Sequence, residues 1–173
     1  MKTARSSQPV IKFTTSPESP RRILDFLQAH PTGVLATTDF FNKPHAAVIY
    51  HHVSSSYEIT FVTKSDTKKY ENMLKNNNVM LVAYDSFTQT TAQITGTVQE
   101  IKDVKQAQKA LAHMLKVAEQ TSQEGDPPVS KLYAGLYTAF RLHPEIIHMA
   151  VFLRPGPSGY DLFETIQFMK DNG

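Results

Sequence analysis

The sequence predicts an α+β domain organised around a closed or partly closed, mainly antiparallel β-barrel, with its helices packed outside. Three observations lead there. Short strand-forming runs succeed one another through tight turns, only a few helical segments interrupt them, and strands do not alternate regularly with helices as a parallel sheet would require. The chain has 173 residues, the size of one domain. That domain is expected over residues 19–173, behind a flexible N-terminal arm of residues 1–18.

The arm mixes Ser, Thr and Pro with scattered charge and has no periodicity. A helix opens at Ser19-Pro20, with Ser as the N-cap and Pro at the first helical position, where its missing N–H would be unpaired anyway. Ile23, Leu24 and Leu27 recur at helical spacing, and His30-Pro31 ends the helix. Strands follow at Gly33–Thr38, His45–Val53, Tyr57–Thr63 and Val79–Tyr84, with turns at Asp39–Pro44 and Ser54–Ser56. A short helix over Thr67–Lys75 separates the last two and ends in the turn triplet Asn76-Asn77-Asn78.

Thr91–Ile101 alternates strictly. Ala92, Ile94, Gly96 and Val98 share one face and Gln93, Thr95, Thr97 and Gln99 the other, the pattern of a half-buried antiparallel strand. Asp103 caps a longer helix whose apolar stripe is Val104, Ala107, Leu111, Met114 and Ala118, read as packing, and Gly125-Asp126-Pro127-Pro128 closes it. Strands at Tyr137–Leu142, Ile146–Leu153 and Tyr160–Phe168 complete the chain, the last two joined by a hairpin-type loop at Arg154–Gly159.

Composition narrows the function. With 18 Lys+Arg against 16 Asp+Glu, the net charge of +2 is too even for a general nucleic-acid binder. Zero cysteines exclude thiol catalysis, cysteine-ligated zinc and iron–sulfur clusters. No apolar run approaches the ~18 residues of a membrane span, and residues 1–13 lack the apolar core of a secretory signal. The expectation is a cytoplasmic protein with no membrane or nucleic-acid partner. The seven histidines form no HExxH or carboxylate-flanked cluster, and His45 and His51 share one strand face while His52 takes the other, so no metal site is expected. There is no P-loop, no G-x-G-x-x-G and no G-x-S-x-G.

The segment FVTKSDTKKYENM, Phe61 to Met73, carries the chemistry. A strand ends at Thr63, a polar turn follows, and the next helix opens on Lys68 and Lys69. A helix N-terminus already carries about half a positive charge, so lysines there are locally unfavourable unless an anion docks. Free N–H groups, ammonium groups and the hydroxyls of Ser65 and Thr67 would then converge on it. In the bland alternative the lysines are solvated and Ser65 or Asp66 caps the helix.

The succession PTGVLATTD, KPHAAVIYHHV, ITFVTKSDTKKYENMLKNNNVMLVAYD and QITGTVQEI resembles the FMN-binding split-barrel family typified by pyridoxamine 5'-phosphate oxidase, over about residues 20–102. The resemblance implies a six-stranded, mainly antiparallel split β-barrel with peripheral helices, paired into a homodimer with FMN at the subunit interface. It places Thr67, Lys68 and Lys69 on the phosphate and Thr63 near the flavin. Val48, Ile49, Tyr50 and His52 would run beside the ring, and Gln93 would reach in from the partner subunit. Ala47 stands where the oxidase has a phosphate-gripping arginine, His52 where it has a lysine, and the oxidase's C-terminal Trp and Arg motif has no match. The expectation is therefore an FMN-dependent oxidoreductase acting on an unidentified small molecule, not the vitamin B6 oxidase itself. The alternative is a non-catalytic split-barrel dimer, stress-related or ligand-carrying, that binds flavin weakly, haem or no cofactor; a deazaflavin is a third occupant of the same cradle.

Overall fold

The computed structural model describes residues 10–121, 137–153 and 162–169. In chain order it contains β1 (Ile11–Thr14), α1 (Ser19–Ala29), β2 (Thr32–Thr38), β3 (Pro44–Val53), β4 (Ile59–Lys64), α2 (Lys68–Lys75), β5 (Asn78–Asp85), β6 (Thr90–Glu100), α3 (Val104–Thr121), β7 (Tyr137–Val151) and β8 (Phe163–Phe168). Strands β7-β4-β3-β2-β5-β6 lie side by side, and β6 pairs back onto β7, closing a six-stranded antiparallel barrel. Strands β8 and β1 extend the sheet beyond β7.

Alternation decides what fills the barrel. Leu35, Ile49, Phe61, Leu81, Ile94, Leu142 and Ile147 point inward and are buried, one or two from each barrel strand. Phe61 and Phe140 stack at 5.7 Å between ring centroids. Ile23 and Leu27, one helical turn apart on α1, plug this core from outside. On α3, Met114 and Ala118 of the predicted stripe are buried, together with Ala110 outside it, whereas Ala107 and Leu111 are only partly buried and Val104 is exposed.

Three sequence expectations change. Residues 11–14, assigned to the mobile arm, form β1, whose Ile11 pairs with Phe168 and Thr14 with Ile166. Glu18, not Ser19, is the N-cap residue of α1 and makes no side-chain cap bond; the Ser19 N–H donates instead to Ser16 Oγ at 3.2 Å, and Ser19 itself is buried inside the helix. The strands expected at 137–142 and 146–153 are one strand, β7. His143-Pro144 reads as a break, but the ladder instead shifts register between Thr95 and Gly96, leaving Glu145 as an extra residue. That bulge flips the side-chain parity, so Leu142 and Pro144 before it and Ile147 and Met149 after it all face inward. Gly125–Pro128 and Arg154–Gly159 lie outside the described residues. Among the described residues no helix is long and apolar enough to cross a membrane.

His51 is a misfit in this interior. It is fully buried, and neither ring nitrogen makes a well-aligned hydrogen bond. Burial, then the charge of His52, hold its pKa down at about 4, which the Leu27 backbone offsets only partly. The unfolded chain, with an ordinary value of 6.5, takes up the proton first as pH falls. The titration of His51 therefore costs no stability above about pH 6.5, and about 3 kcal/mol is lost as pH drops toward 4. The stability of His51→Leu in urea unfolding should be correspondingly flatter between pH 7 and 4.5 than that of the native chain. Parallel curves for the two would show that His51 is not the titrating group.

Candidate functional site

The β3–β4 ladder runs only from Val53↔Ile59 to His51↔Phe61. Beyond it, Pro44–Tyr50 pair with β2 and Val62–Lys64 pair with β7, so the two strands part. This is the split in the barrel, and α2 sits over that end. Asn72, buried on α2, donates from Nδ2 to Thr37 Oγ1 at 3.1 Å, and Asn76 donates to Thr38 Oγ1 at 2.8 Å, so α2 is anchored to β2. Asn72 is a site-shaping residue that sequence reading missed, because a lone Asn in a lysine-rich helix reads as solvated.

The turn from β4 into α2 forms a cup at this opening. Thr63 is buried, and its hydroxyl lies 3.2 Å from that of Thr67. Thr67 Oγ1 donates to the Lys64 carbonyl at 2.8 Å. Thr67 is the N-cap residue, not Ser65 or Asp66, and its carbonyl accepts from the N–H groups of Tyr70 and Glu71. The Lys68 and Lys69 N–H groups remain at the open first turn, with no side chain capping them. The two lysines differ. Lys68 is exposed, 3.2 Å from Glu71. Lys69 is half-buried, forms no ion pair among the described residues, and burial pulls its pKa below the ordinary lysine range against the opposing pull of Asp66.

The remaining predicted residues fall into two groups. Val48, Tyr50 and His52 share the outward face of β3, while Ile49 points into the core and can offer a ligand only its backbone. His52 tilts against His113 of α3, with ring centroids 4.5 Å apart. Gln93 stands exposed on β6 beside Val82, and it pairs with His148 at the far end of β7 from Thr138, the partner of Thr63 in the cup. It belongs to an outward apolar band in which Val34 pairs with both Val48 and Val82, and Ala36 with Met80. Val48 is 69% exposed there.

The model of the family described as pyridoxamine 5'-phosphate oxidase matches residues 19–148, from α1 through most of β7. The chain belongs to that family. Solved structures of similar fold include General Stress Protein 26 from Bacillus anthracis, at 20% identity and a TM-score of 0.57, covering 76% of this chain and 93% of that one. An F420 reductase matches at 18% identity and a TM-score of 0.57, over 71% of this chain and 93% of that one. A heme binding protein from Mycobacterium smegmatis matches at 11% identity and a TM-score of 0.61, over 88% of this chain and 59% of that one. No curated protein matches the sequence. At these identities the structural likenesses establish the family's fold, and the chemistry must be argued from the side chains.

Proposed function

We propose that the protein is an FMN-dependent oxidoreductase that works as a homodimer on a small organic molecule. The observation that carries this reading is Lys69, a half-buried ammonium with no ion pair among the described residues, in the first turn of α2, where the Lys68 and Lys69 N–H groups are uncapped by any side chain. An uncapped helix N-terminus with a lysine in its first turn suits a phosphate monoester in size and charge. The flavin, when bound, supplies two-electron hydride chemistry. The protein's own part is positional. Lys69, Thr63 and Thr67 would hold the phosphate at the split, and the outward row Val48–Tyr50–His52 would flank the ring. The exposed Val34, Val48 and Met80, with the half-buried Val82 between strands, give a second copy an apolar surface to cover. That contact would enclose the ring and bring Gln93 of the partner subunit toward it. A cytoplasmic location fits such chemistry and belongs to the same proposal.

The absorption spectrum of the purified protein tests this. Oxidised-flavin bands, or their appearance with bound FMN on reconstitution, support the reading; a colourless protein that takes up no FMN overturns it. Ala47 favours the second reading, a non-catalytic dimer, because the strand offers no arginine to a phosphate. A Soret band would identify haem as that dimer's ligand, and selective uptake of a deazaflavin would replace FMN as the cofactor.

A further inference from the structure

The residues of α2 offer the barrel two faces. Tyr70, Met73 and Leu74 make one, an apolar stripe; Lys69, Asn72 and Met73 make the other, turned from it by about 100°, one residue of helix. Apolar burial alone favours the stripe. The structure adopts the other face: Asn72 and Met73 are buried, Lys69 is half-buried, and Leu74 is left 56% exposed. Tyr70 lies at the boundary, its ring edge-on to Phe140 with centroids 6.0 Å apart.

What turns the helix is on β2. Asn72 Nδ2 donates to Thr37 Oγ1 at 3.1 Å, and both side chains are buried. Apolar packing is non-directional, so Tyr70 and Met73 tolerate a range of rotations, whereas a hydrogen bond requires one. Breaking it would leave two buried polar groups unpaired, a cost of the same order as the gain from covering Leu74. Asn76 also bonds to Thr38, but its backbone is extended, beyond the last helical residue, so that bond fastens the helix end without setting its rotation. The rotation decides which side chain of the first turn faces the split. Lys69 lies three residues before Asn72 on the barrel side, while Lys68, Glu71 and Lys75 are exposed, Lys68 lying 3.2 Å from Glu71. With the apolar stripe inward, Tyr70 would take the place of Lys69.

We propose that the Asn72–Thr37 bond holds α2 away from the rotation its apolar residues favour, and thereby selects Lys69 as the cation at the split. Asn72 and Thr37 are positioning residues that act through Lys69, and Leu74 is the competitor they overcome. The consequence for phosphate rests on the cup assignment made above; the rotation itself does not.

Thr37→Val/Asn72→Ala removes donor and acceptor together, so neither is left unpaired. Lysine side-chain NMR of the full chain without ligand reads the rotation. In the native chain burial holds Lys69 below the ordinary lysine range, and in the double variant Lys69 should return to that range. Adding Leu74→Gln removes the apolar competitor and should restore the lowered value, a rescue that damage to the fold would not show. FMN affinity should fall about tenfold in the double variant and recover with Leu74→Gln, the affinity for riboflavin changing little in either. Lys69→Ala should add little to the loss in the double variant, because both changes remove the same contact. The proposal is overturned if Lys69 keeps its lowered titration in the double variant, or if Leu74→Gln fails to restore it. A native chain that binds no FMN would count against the cup instead, and the titration without ligand would still decide the rotation.

Discussion

Lys69→Ala is expected to weaken FMN binding by one to two orders of magnitude, a loss of about 1.5–3 kcal/mol for one charge-assisted contact. Lys68→Ala should cost much less, because Lys68 is exposed and already faces Glu71 at 3.2 Å. The structure therefore ranks two neighbouring lysines that are equivalent in the sequence. Riboflavin is the control. It carries the same ring and no phosphate, so its affinity should change little in either variant. Titrations of both ligands against the native chain and both variants make the comparison. Parallel losses for FMN and riboflavin would mean that Lys69 acts by supporting the fold, and the phosphate assignment would fail with it.

Gly96→Ala should produce the largest loss of stability of any conservative change in the barrel. A Cβ at this position would lie 2.2 Å from the His143 carbonyl oxygen and 3.0 Å from Pro144 Cα, both backbone atoms that cannot swing away. Gly96 sits where the β6–β7 register shifts, so β7 can approach only because β6 has no side chain at that point. Relief requires separating the strands that close the barrel, at a cost of about 3 kcal/mol or more. Urea titration should show a lower midpoint with an unchanged slope. Gly33→Ala meets the Val82 carbonyl oxygen at 2.8 Å and the movable end of Leu81 at 2.9 Å, so it should cost less. Near-native stability of Gly96→Ala would contradict the tight crossing.

Much of this architecture was legible because alternation is a local signal. Thr91–Glu100 and Gly33–Thr38 show which face is buried without reference to any partner strand. The helix stripes on α1 and α3 were equally plain. What stayed hidden depends on distant neighbours. His143-Pro144 looks like a strand end until Gly96 is placed opposite it. Ile11–Thr14 alternates apolar and polar residues over only four positions, too short a run to stand out, and becomes a strand only by adding to β8.

The site divides along the same line. Thr63 and Thr67–Lys69 are contiguous, so one turn announces them. The groove between α3 and the barrel draws on β3, β4, β7 and four positions of α3, Gln106, Lys109, Ala110 and His113, so no contiguous motif marks it. Which of two adjacent lysines is desolvated is likewise decided by burial, which no spacing rule conveys.

β7 bears on how the molecule is made. Past Phe61, β4 has no neighbour other than this strand, and β6 relies on it along nearly its whole length. A polypeptide emerging from a ribosome only as far as α3 therefore holds five staves of a cask with neither outer margin joined. Those bare margins offer backbone hydrogen bonds to any passing strand. Closure waits on a segment some 70 residues downstream of β4, a long-range pairing that slows folding. Thr63 gains its β7 partner, Thr138, only at that late moment. The recess at the β4–α2 turn should thus take shape only once β7 has emerged.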